Sequence, residues 1–167
     1  MNTTRISLYL IFTALSLLSP ASQAAETLYK VVYVYDGDTV KLRPVTSSNP
    51  NDEFKLRLTD IDAPERNQNY GLKSRRALIK LCQGKNIQAT TEIVAKDKYG
   101  RSLGRLQCNK VDASLYLAEQ GLAWDQDHYS TDFEIYNAAR IARQQRLGLW
   151  ADDKPIAPWL YRKNNPH

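Results

Sequence analysis

The chain has 167 residues, of which 43% are hydrophobic and 25% are charged, and its formal net charge is +5 at pH 7. This length is enough for one domain with a hydrophobic core and too short for two comfortable ones. The mild positive charge is compatible with a polyanionic partner but does not require one, because many soluble proteins carry a similar charge.

The N-terminal segment over 1–24 is typical of an export signal. A short polar stretch containing Arg5 precedes a nearly unbroken apolar run over 6–18, and a small-x-small cleavage pattern follows at 22–24. The apolar run is shorter than the roughly 20 residues that a membrane-spanning helix needs, so an uncleaved anchor is the weaker alternative. We expect an exported protein, periplasmic or extracellular, whose mature form begins at Ala25 and does not enter a membrane.

Three strands are predicted first in the mature chain. β-Branched and aromatic residues over 29–35 predict a strand buried on both faces, and a second strand is predicted over 40–45. The Asp-Gly pair at 36–37 predicts a hairpin turn between them, with Asp38 opening the second strand. An exposed polar loop and a third strand over 54–58 follow.

A helix and a second hairpin come next. After a polar loop over 66–70, four residues at helical spacing share one face before Gly84, namely Ser74, Leu78, Leu81 and Cys82. Beyond this helix, alternating patterns predict paired strands over 86–95 and 101–108, joined by a turn at 97–100.

Two further helices are predicted in the C-terminal half. One fits 112–120, with Asp112 as its N-cap and Gly121 beyond its end. The other begins at a Thr-x-x-Glu capping box over 131–134 and runs on to Gly148. The apolar positions of this last helix are Ile135, Ala138, Ala139 and Ala142.

The order of these elements predicts an α+β domain. Three strands, a helix, a hairpin and then helices fit a five-stranded OB barrel, in which a small antiparallel sheet closes on itself. We expect this domain over 25–152, after the export signal at 1–24. The proline-containing tail over 153–167 is expected to be irregular, although Trp159 and Leu160 could fold back onto the domain.

Clustered carboxylates and arginines occur in three short segments, which are DGDTV at 36–40, RLTDIDAPE at 57–65 and DKYGR at 97–101. Carboxylates hold a hard cation through oxygen atoms, and guanidinium groups bind phosphate in a bidentate fork. This combination suits cleavage of a phosphodiester, because an enzyme must offset its negative charge. The scarcity of histidine argues against zinc or copper and leaves calcium, magnesium and manganese open. Alone, an Asp-Gly-Asp segment is more often a plain hairpin turn.

These three segments, together with GLAW at 121–124, resemble the staphylococcal-type thermonuclease family over nearly the whole mature chain. The resemblance implies an OB-fold barrel with three α-helices. It also implies a calcium-dependent nuclease that cleaves DNA and RNA and leaves 3′-phosphates. The calcium ligands of the family match Asp38, Asp62 and the backbone carbonyl of Ala63. Its catalytic residues match Arg57, Glu65 and Arg101, where the arginines hold the scissile phosphate and the glutamate orients water or accepts its proton.

The residues expected to contact bases match the family only in part, and they are Lys98, Tyr99 and Tyr129. Lys98 and Tyr99 match positions that line the nucleotide pocket, whereas the pocket tyrosines after Gly-Leu-Ala are replaced by Trp124, Asp127 and Tyr129. The rings at 99, 124 and 129 could stack the bases of a single strand, and packing against the barrel is the alternative. We expect DNA or RNA, preferably single-stranded, as the substrate of a monomer.

The chain contains two cysteines, Cys82 and Cys108. An exported chain meets an oxidising compartment, so Cys82 and Cys108 are expected to form a disulfide, with two buried thiols as the alternative.

The alternative to a nuclease is a nucleic-acid-binding OB module that does not cut. Binding by such a module would weaken steeply with salt and would not respond to a chelator.

Overall fold

The computed structural model describes residues 27–126 and 132–166. Its strands are β1 (Tyr29–Val34), β2 (Thr39–Pro44), β3 (Phe54–Leu58), β4 (Ile61–Asp62), β5 (Ala89–Lys96), β6 (Ser102–Cys108), β7 (Val111–Asp112) and β8 (Trp124–Asp125). Its α-helices are α1 (Gly71–Cys82), α2 (Ala113–Glu119), α3 (Phe133–Gln144) and α4 (Pro158–Asn164). Short 3-10 turns lie at Pro50–Asp52 and Gly148–Ala151. Within these residues, no helix is long and apolar enough to cross a membrane.

The main sheet closes on itself as predicted. Its strand order is β3-β2-β1-β5-β6-β7, and an additional parallel pairing of β3 with β6 joins the two ends. In that pairing Leu56 lies opposite Ser102 and Leu58 lies opposite Gly104. The five-stranded barrel is therefore confirmed, with the short β7 appended to β6 and a separate two-stranded pairing of β4 with β8.

The core fills the barrel and the space beneath α1, α2 and α3. Its largest fully buried side chains include Leu42, Leu56, Leu58, Ile61, Leu78, Leu106, Leu117 and Ile135. Cys82 at the end of α1 and Cys108 at the end of β6 form a disulfide, with their Cα atoms 5.2 Å apart. The predicted disulfide thus joins the first helix to the barrel.

Local sequence patterns predict α2 and most of α3 correctly. Asp112 is the N-cap of α2, and its side chain accepts a hydrogen bond from the N–H of Leu115. The predicted apolar face of α3 is the face that is buried. The N-cap of α3 is Asp132, one residue later than the predicted capping box begins, and its side chain accepts from the N–H groups of Glu134 and Ile135. Thr131 itself lies outside the described residues.

Three predictions need correction, of which two concern the first strands and one concerns the C-terminal tail. β1 is not buried on both faces, because Tyr33 is 39% exposed while Val31 and Val34 face the core. The turn after β1 is wider than two residues, so β2 begins at Thr39 and Asp38 lies in the loop. The tail is not irregular throughout, since Pro158–Asn164 forms α4 and adds a fourth helix to the three expected. The Trp159 ring does fold back, 5.3 Å from the Trp124 ring.

Candidate functional site

The loop between β1 and β2 holds Asp38 against the core. The backbone N–H of Asp38 donates to Asp36 Oδ1 at 3.0 Å. Gly37 packs so closely that a Cβ built there would lie 1.9 Å from Ser74 Oγ and 2.7 Å from Ala63 Cβ. A larger residue at this position would push the loop away from α1, so glycine keeps Asp38 in place.

Arg57, on β3, joins the two carboxylates predicted to bind a metal ion. Its Nη1 lies 3.1 Å from Asp38 Oδ2, and its Nη2 lies 2.9 Å from Asp62 Oδ1. Nη1 also donates to the carbonyl oxygens of Leu58 and Ile61 at 2.9 Å and 3.1 Å. Because both aspartates are almost completely buried, this guanidinium compensates negative charge that water does not reach.

The environment of Asp38 favours a cation. Burial raises the pKa of the Asp38 carboxyl well above its usual range, and the positive charge of Arg57 opposes that increase only in part. The neighbouring carboxylates of Asp36 and Asp62 raise the pKa further, and the N–H of Ala63, which donates to Asp38 Oδ2 at 2.6 Å, lowers it. A buried carboxylate of this kind is stabilised in its ionised form by any additional cation nearby.

A tight loop before α1 holds the backbone of Glu65 in place. The N–H of Glu65 donates to Gln68 Oε1 at 3.1 Å, and the N–H of Gln68 donates to Glu65 O at 2.8 Å. Gly71 allows α1 to begin this close, because a Cβ there would lie 1.8 Å from Glu65 O. Gln68 Nε2 also donates to Ile156 O at 2.6 Å, which ties the loop to the C-terminal segment.

A further arginine, contributed by α4, completes the site. Arg162 Nη2 donates to Asp62 Oδ2 at 2.8 Å, while Nη1 donates to Asp62 Oδ1 at 3.1 Å and to Glu65 Oε1 at 2.9 Å. The hydrogen bond to Asp62 is the main reason that the pKa of Arg162 is raised. We call the resulting continuous set of contacts the acid–arginine cluster; its members are Asp38, Arg57, Asp62, Glu65 and Arg162.

The acid–arginine cluster borders an open groove with a volume of about 730 Å³. The lining of the groove includes Tyr35 and Glu65, and also Tyr161 and Arg162 of α4. Glu65 is half-buried at this edge, whereas Asp62 lies beneath it. An extended ligand in the groove would therefore meet the glutamate and the arginine before the buried aspartates.

Arg101 is not a member of this set of contacts. Its Nε lies 2.7 Å from Asp97 Oδ2, so the side chain pairs within its own turn. Its neighbour Ser102 is paired with Leu56 of β3, so the backbone at Arg101 runs beside the strand that carries Arg57. The expected role of Arg101 at the phosphate stays a prediction.

The residues predicted to contact bases have different surroundings. Lys98 and Tyr99 lie in the exposed turn before β6, with Lys98 Nζ 5.2 Å from the centre of the Tyr99 ring. Trp124 packs edge-on against Trp150 at 4.5 Å, which supports the packing alternative for this residue. Tyr129 lies outside the described residues. Base contacts at Lys98, Tyr99 and Tyr129 therefore stay predictions.

Two members of the site were missed in the sequence. Gln68 occupies a polar loop in which nothing distinguishes it from its neighbours. Arg162 belongs to the tail that was expected to be irregular. Pro158, at the first turn of α4, is a recognised helix-start residue and was the one available signal for that helix.

The donor set at the cluster fits a hard cation. Asp38 and Asp62 offer carboxylate oxygens, for which a cation would compete with the guanidinium groups of Arg57 and Arg162. Calcium takes about six to eight oxygen ligands, many of them water or carbonyl oxygens. Across 27–126 and 132–166, no three His, Cys, Asp or Glu side chains converge as a metal-binding group. Two carboxylates and the Ala63 carbonyl would thus leave positions for water and substrate.

Comparisons with known proteins identify the family of this chain. A family model described as staphylococcal nuclease homologue matches residues 55–152. The chain is 38% identical over 157 residues to an uncharacterized endonuclease of Haemophilus influenzae, covering 94% of this chain and 83% of that protein. It is 33% identical over 145 residues to a micrococcal nuclease of Shigella flexneri, covering 80% and 79% of the two chains. The resemblance predicted from the sequence is confirmed, and the chain belongs to the staphylococcal nuclease family.

Proposed function

We propose that this protein is a calcium-dependent nuclease that hydrolyses phosphodiester bonds of DNA and RNA. The observation that carries the proposal is the acid–arginine cluster, in which Glu65 and Arg162 line an open groove and Arg162 contacts the buried Asp62, from which contacts continue through Arg57 to Asp38. Membership of the staphylococcal nuclease family supports it independently. The proposal includes 3′-phosphate products, a preference for single strands and a monomeric enzyme, which follow from the family resemblance.

The acids and Arg57 have complementary tasks in this proposal. Asp38, Asp62 and the Ala63 carbonyl would hold calcium, which supplies positive charge that offsets the charge of the phosphate. Arg57 is held by two carboxylates and two carbonyl oxygens. Its guanidinium is therefore oriented before the substrate arrives, and such preorganised donors stabilise charge that develops in the transition state. Arg101 is proposed to contact the same phosphate from the neighbouring turn.

Glu65 is proposed to orient the attacking water or to accept its proton. It is fixed by Gln68 through the backbone and by Arg162 through its side chain, at the groove edge that a substrate would reach. A carboxylate in this position contributes to rate only if it is charged and correctly placed. Glu65→Gln keeps the shape of the side chain and removes its charge, so it tests this role directly.

The decisive experiment measures degradation of single-stranded DNA and RNA by the purified protein, with calcium and with EDTA. We expect degradation that requires calcium and yields 3′-phosphate ends, identified by mass spectrometry. Glu65→Gln is expected to lower kcat by about a hundredfold or more, which also excludes a contaminating nuclease. If neither polymer is degraded with calcium, the proposal is wrong. Binding whose affinity falls with salt and does not change with EDTA would then favour the non-catalytic nucleic-acid-binding module.

We also propose that the protein is exported and begins at Ala25 in its mature form. The support is the apolar run over 6–18 followed by the cleavage pattern at 22–24. Intact mass of the protein recovered from the periplasm or the medium tests this. A mass that retains residues 1–24 in those fractions would contradict it.

A further inference from the structure

A row of polar and aromatic side chains crosses the outer face of the barrel. Tyr33 on β1 lies opposite Lys41 on β2, and Lys41 lies opposite Lys55 on β3. Residues directly opposite one another in neighbouring strands point to the same face of a sheet. Tyr33 and Lys55 are both exposed, so the row is open to solvent and is available to a ligand.

Tyr35 connects this row to the groove beside the acid–arginine cluster. Its ring lies edge-on to the Tyr33 ring at 4.9 Å, and Tyr35 lines the same groove as Glu65. Lys55 Nζ lies 4.8 Å from the centre of the Tyr35 ring, and Arg75 Cζ lies 5.5 Å from the centre of the Tyr33 ring. Each ring is therefore accompanied by a cation.

The charge of this surface is positive. Glu53, at the edge of the row, is offset by Lys41 at 3.2 Å and by Arg43 at 3.4 Å. In the part of the chain that the structure describes, neither Lys55 nor Arg75 forms an ion pair with a carboxylate. Arg75 Nε donates to a carbonyl oxygen of β1 at 2.8 Å, which fixes this guanidinium beside the rings. A polyanion is the complementary ligand.

We propose that Tyr33, Tyr35, Lys55 and Arg75 form a binding site for single-stranded nucleic acid, which we call the tyrosine track. The inference rests on the proposed nuclease function and extends its groove along the barrel. Exposed aromatic rings stack bases, and adjacent cations contact the backbone phosphates, in sites that bind single strands without sequence preference. The tyrosine track holds the strand next to the bond that is cleaved, so longer strands bind more tightly than dinucleotides.

Stacking is tested by fluorescence anisotropy with a labelled oligothymidylate of about ten nucleotides, in EDTA to prevent cleavage. Tyr33→Ala and Tyr35→Ala are each expected to raise Kd about tenfold, while the phenylalanine variants retain binding because they keep the ring. Tyr136→Ala is the matched control, since Tyr136 is an exposed tyrosine on α3. A wild-type Kd in both alanine variants overturns the proposal.

Phosphate contact is tested by the salt dependence of the same binding. Loss of one phosphate contact to a single strand lowers the slope of log Kd against log salt by about 0.7. Lys55→Ala is expected to show this reduction, and Arg140→Ala, which removes an exposed charge from α3, is expected to keep the wild-type slope. The slope reports the number of phosphate contacts, so it separates a lost contact from a change in the Tyr35 ring, which lies 4.8 Å from Lys55 Nζ. An unchanged slope in Lys55→Ala contradicts the proposal.

The proposed nuclease function and the tyrosine track can be tested separately. Calcium-dependent cleavage of the same oligonucleotide by the wild-type protein is measured in parallel. Absence of cleavage overturns the proposed function, whereas cleavage with unchanged Kd in the tyrosine variants overturns only the tyrosine track. Circular dichroism of each variant establishes that it is folded before its Kd is compared.

Discussion

Arg57 combines positive charge with a planar set of donors that no other residue type offers. It contacts Asp38 and Asp62 through different nitrogens and donates to two backbone carbonyls at the end of β3. A lysine ammonium at the same position is a single point of charge on a flexible stem. It cannot bridge both carboxylates and both carbonyls at once.

Arg57→Lys is therefore expected to lower kcat/KM by about a hundredfold, although the charge is conserved. The measurement is steady-state cleavage of single-stranded DNA in calcium, with circular dichroism to establish folding. Arg140→Lys, an exposed arginine on α3, is the matched control and should have wild-type kinetics. Wild-type kcat/KM in Arg57→Lys would contradict the preorganising role of this guanidinium.

At the scale of elements, helix α4 adds to the site an arginine that the sequence did not predict. This short helix brings Arg162 onto both oxygens of Asp62 and onto Glu65. Asp62 is also a proposed calcium ligand, so Arg162 would compete with calcium for its oxygens. The pair is partly exposed, with the Arg162 side chain 42% accessible, and solvent screening limits its contribution.

We expect Arg162→Ala to lower the calcium Kd by about fivefold, because a partly exposed ion pair contributes about 1 kcal/mol. Isothermal titration calorimetry of calcium binding measures this without any need for turnover. Lys163→Ala, the next residue of α4, removes the same charge from the helix and should leave Kd unchanged. Equal calcium affinity in the wild type and Arg162→Ala would show that the two cations do not compete.

The N-terminus of α3 gives a prediction that depends on pH. Partial burial raises the pKa of Asp132, but hydrogen bonds from Arg105 and from the N–H groups of Ile135 and Glu134 lower it more. The ionised carboxylate is therefore favoured in the folded protein. Its contribution to stability is present above the usual pKa of 3.8 and is lost as the pH falls through and below that value.

Asp132→Asn keeps a side chain that can cap the helix and removes the charge that pairs with Arg105. At neutral pH it is expected to lower the free energy of unfolding by about 0.5 to 1 kcal/mol, since Arg105 is partly exposed. Urea unfolding at several pH values measures the difference, which should shrink as the pH falls below 3.8. Glu134→Gln, an exposed acid in the same turn, is the control. A difference that is independent of pH would contradict this account.

The elements were predicted well where the signal is local. The bounds of β3 and the N-cap of α2 agree with the sequence, because alternation and capping involve neighbouring residues. α4 was missed because its apolar residues lack a long periodic pattern, and its position depends on contacts with the rest of the domain. The exposure of Tyr33 was missed because a continuous apolar and aromatic run does not reveal which face packs on the core.

At the scale of the whole molecule, the barrel closes through β3 and β6, and the disulfide fastens α1 to the end of β6. The two cysteines are separated by 26 positions in the sequence. A loop of that length gives a stabilisation of about 3.5 kcal/mol in the chain-entropy model. Both sulfur-bearing residues are buried, so the bond is protected from solvent.

We expect the double variant Cys82→Ala, Cys108→Ala to lose about 3.5 kcal/mol of unfolding free energy, measured by urea denaturation. The wild type unfolded in excess reductant serves as its control and should lose a similar amount. If oxidised, reduced and double-variant proteins unfold at the same urea concentration, the disulfide does not stabilise this fold.

The sequence by itself determined the order of the five barrel strands and of α1, α2 and α3, and the segments that carry Asp38, Arg57, Asp62 and Glu65. These features follow from periodicity, turn chemistry and spacing, which act over a few residues. Only the tertiary structure decided that Arg162 meets Asp62, because these residues are 100 positions apart and come together through the docking of α4. It likewise decided that Arg57 bridges the acids while Arg101 pairs with Asp97. The contacts of Arg162 with Asp62 and of Arg57 with Asp38 join separate segments of the chain, so they depend on packing, which no local pattern encodes.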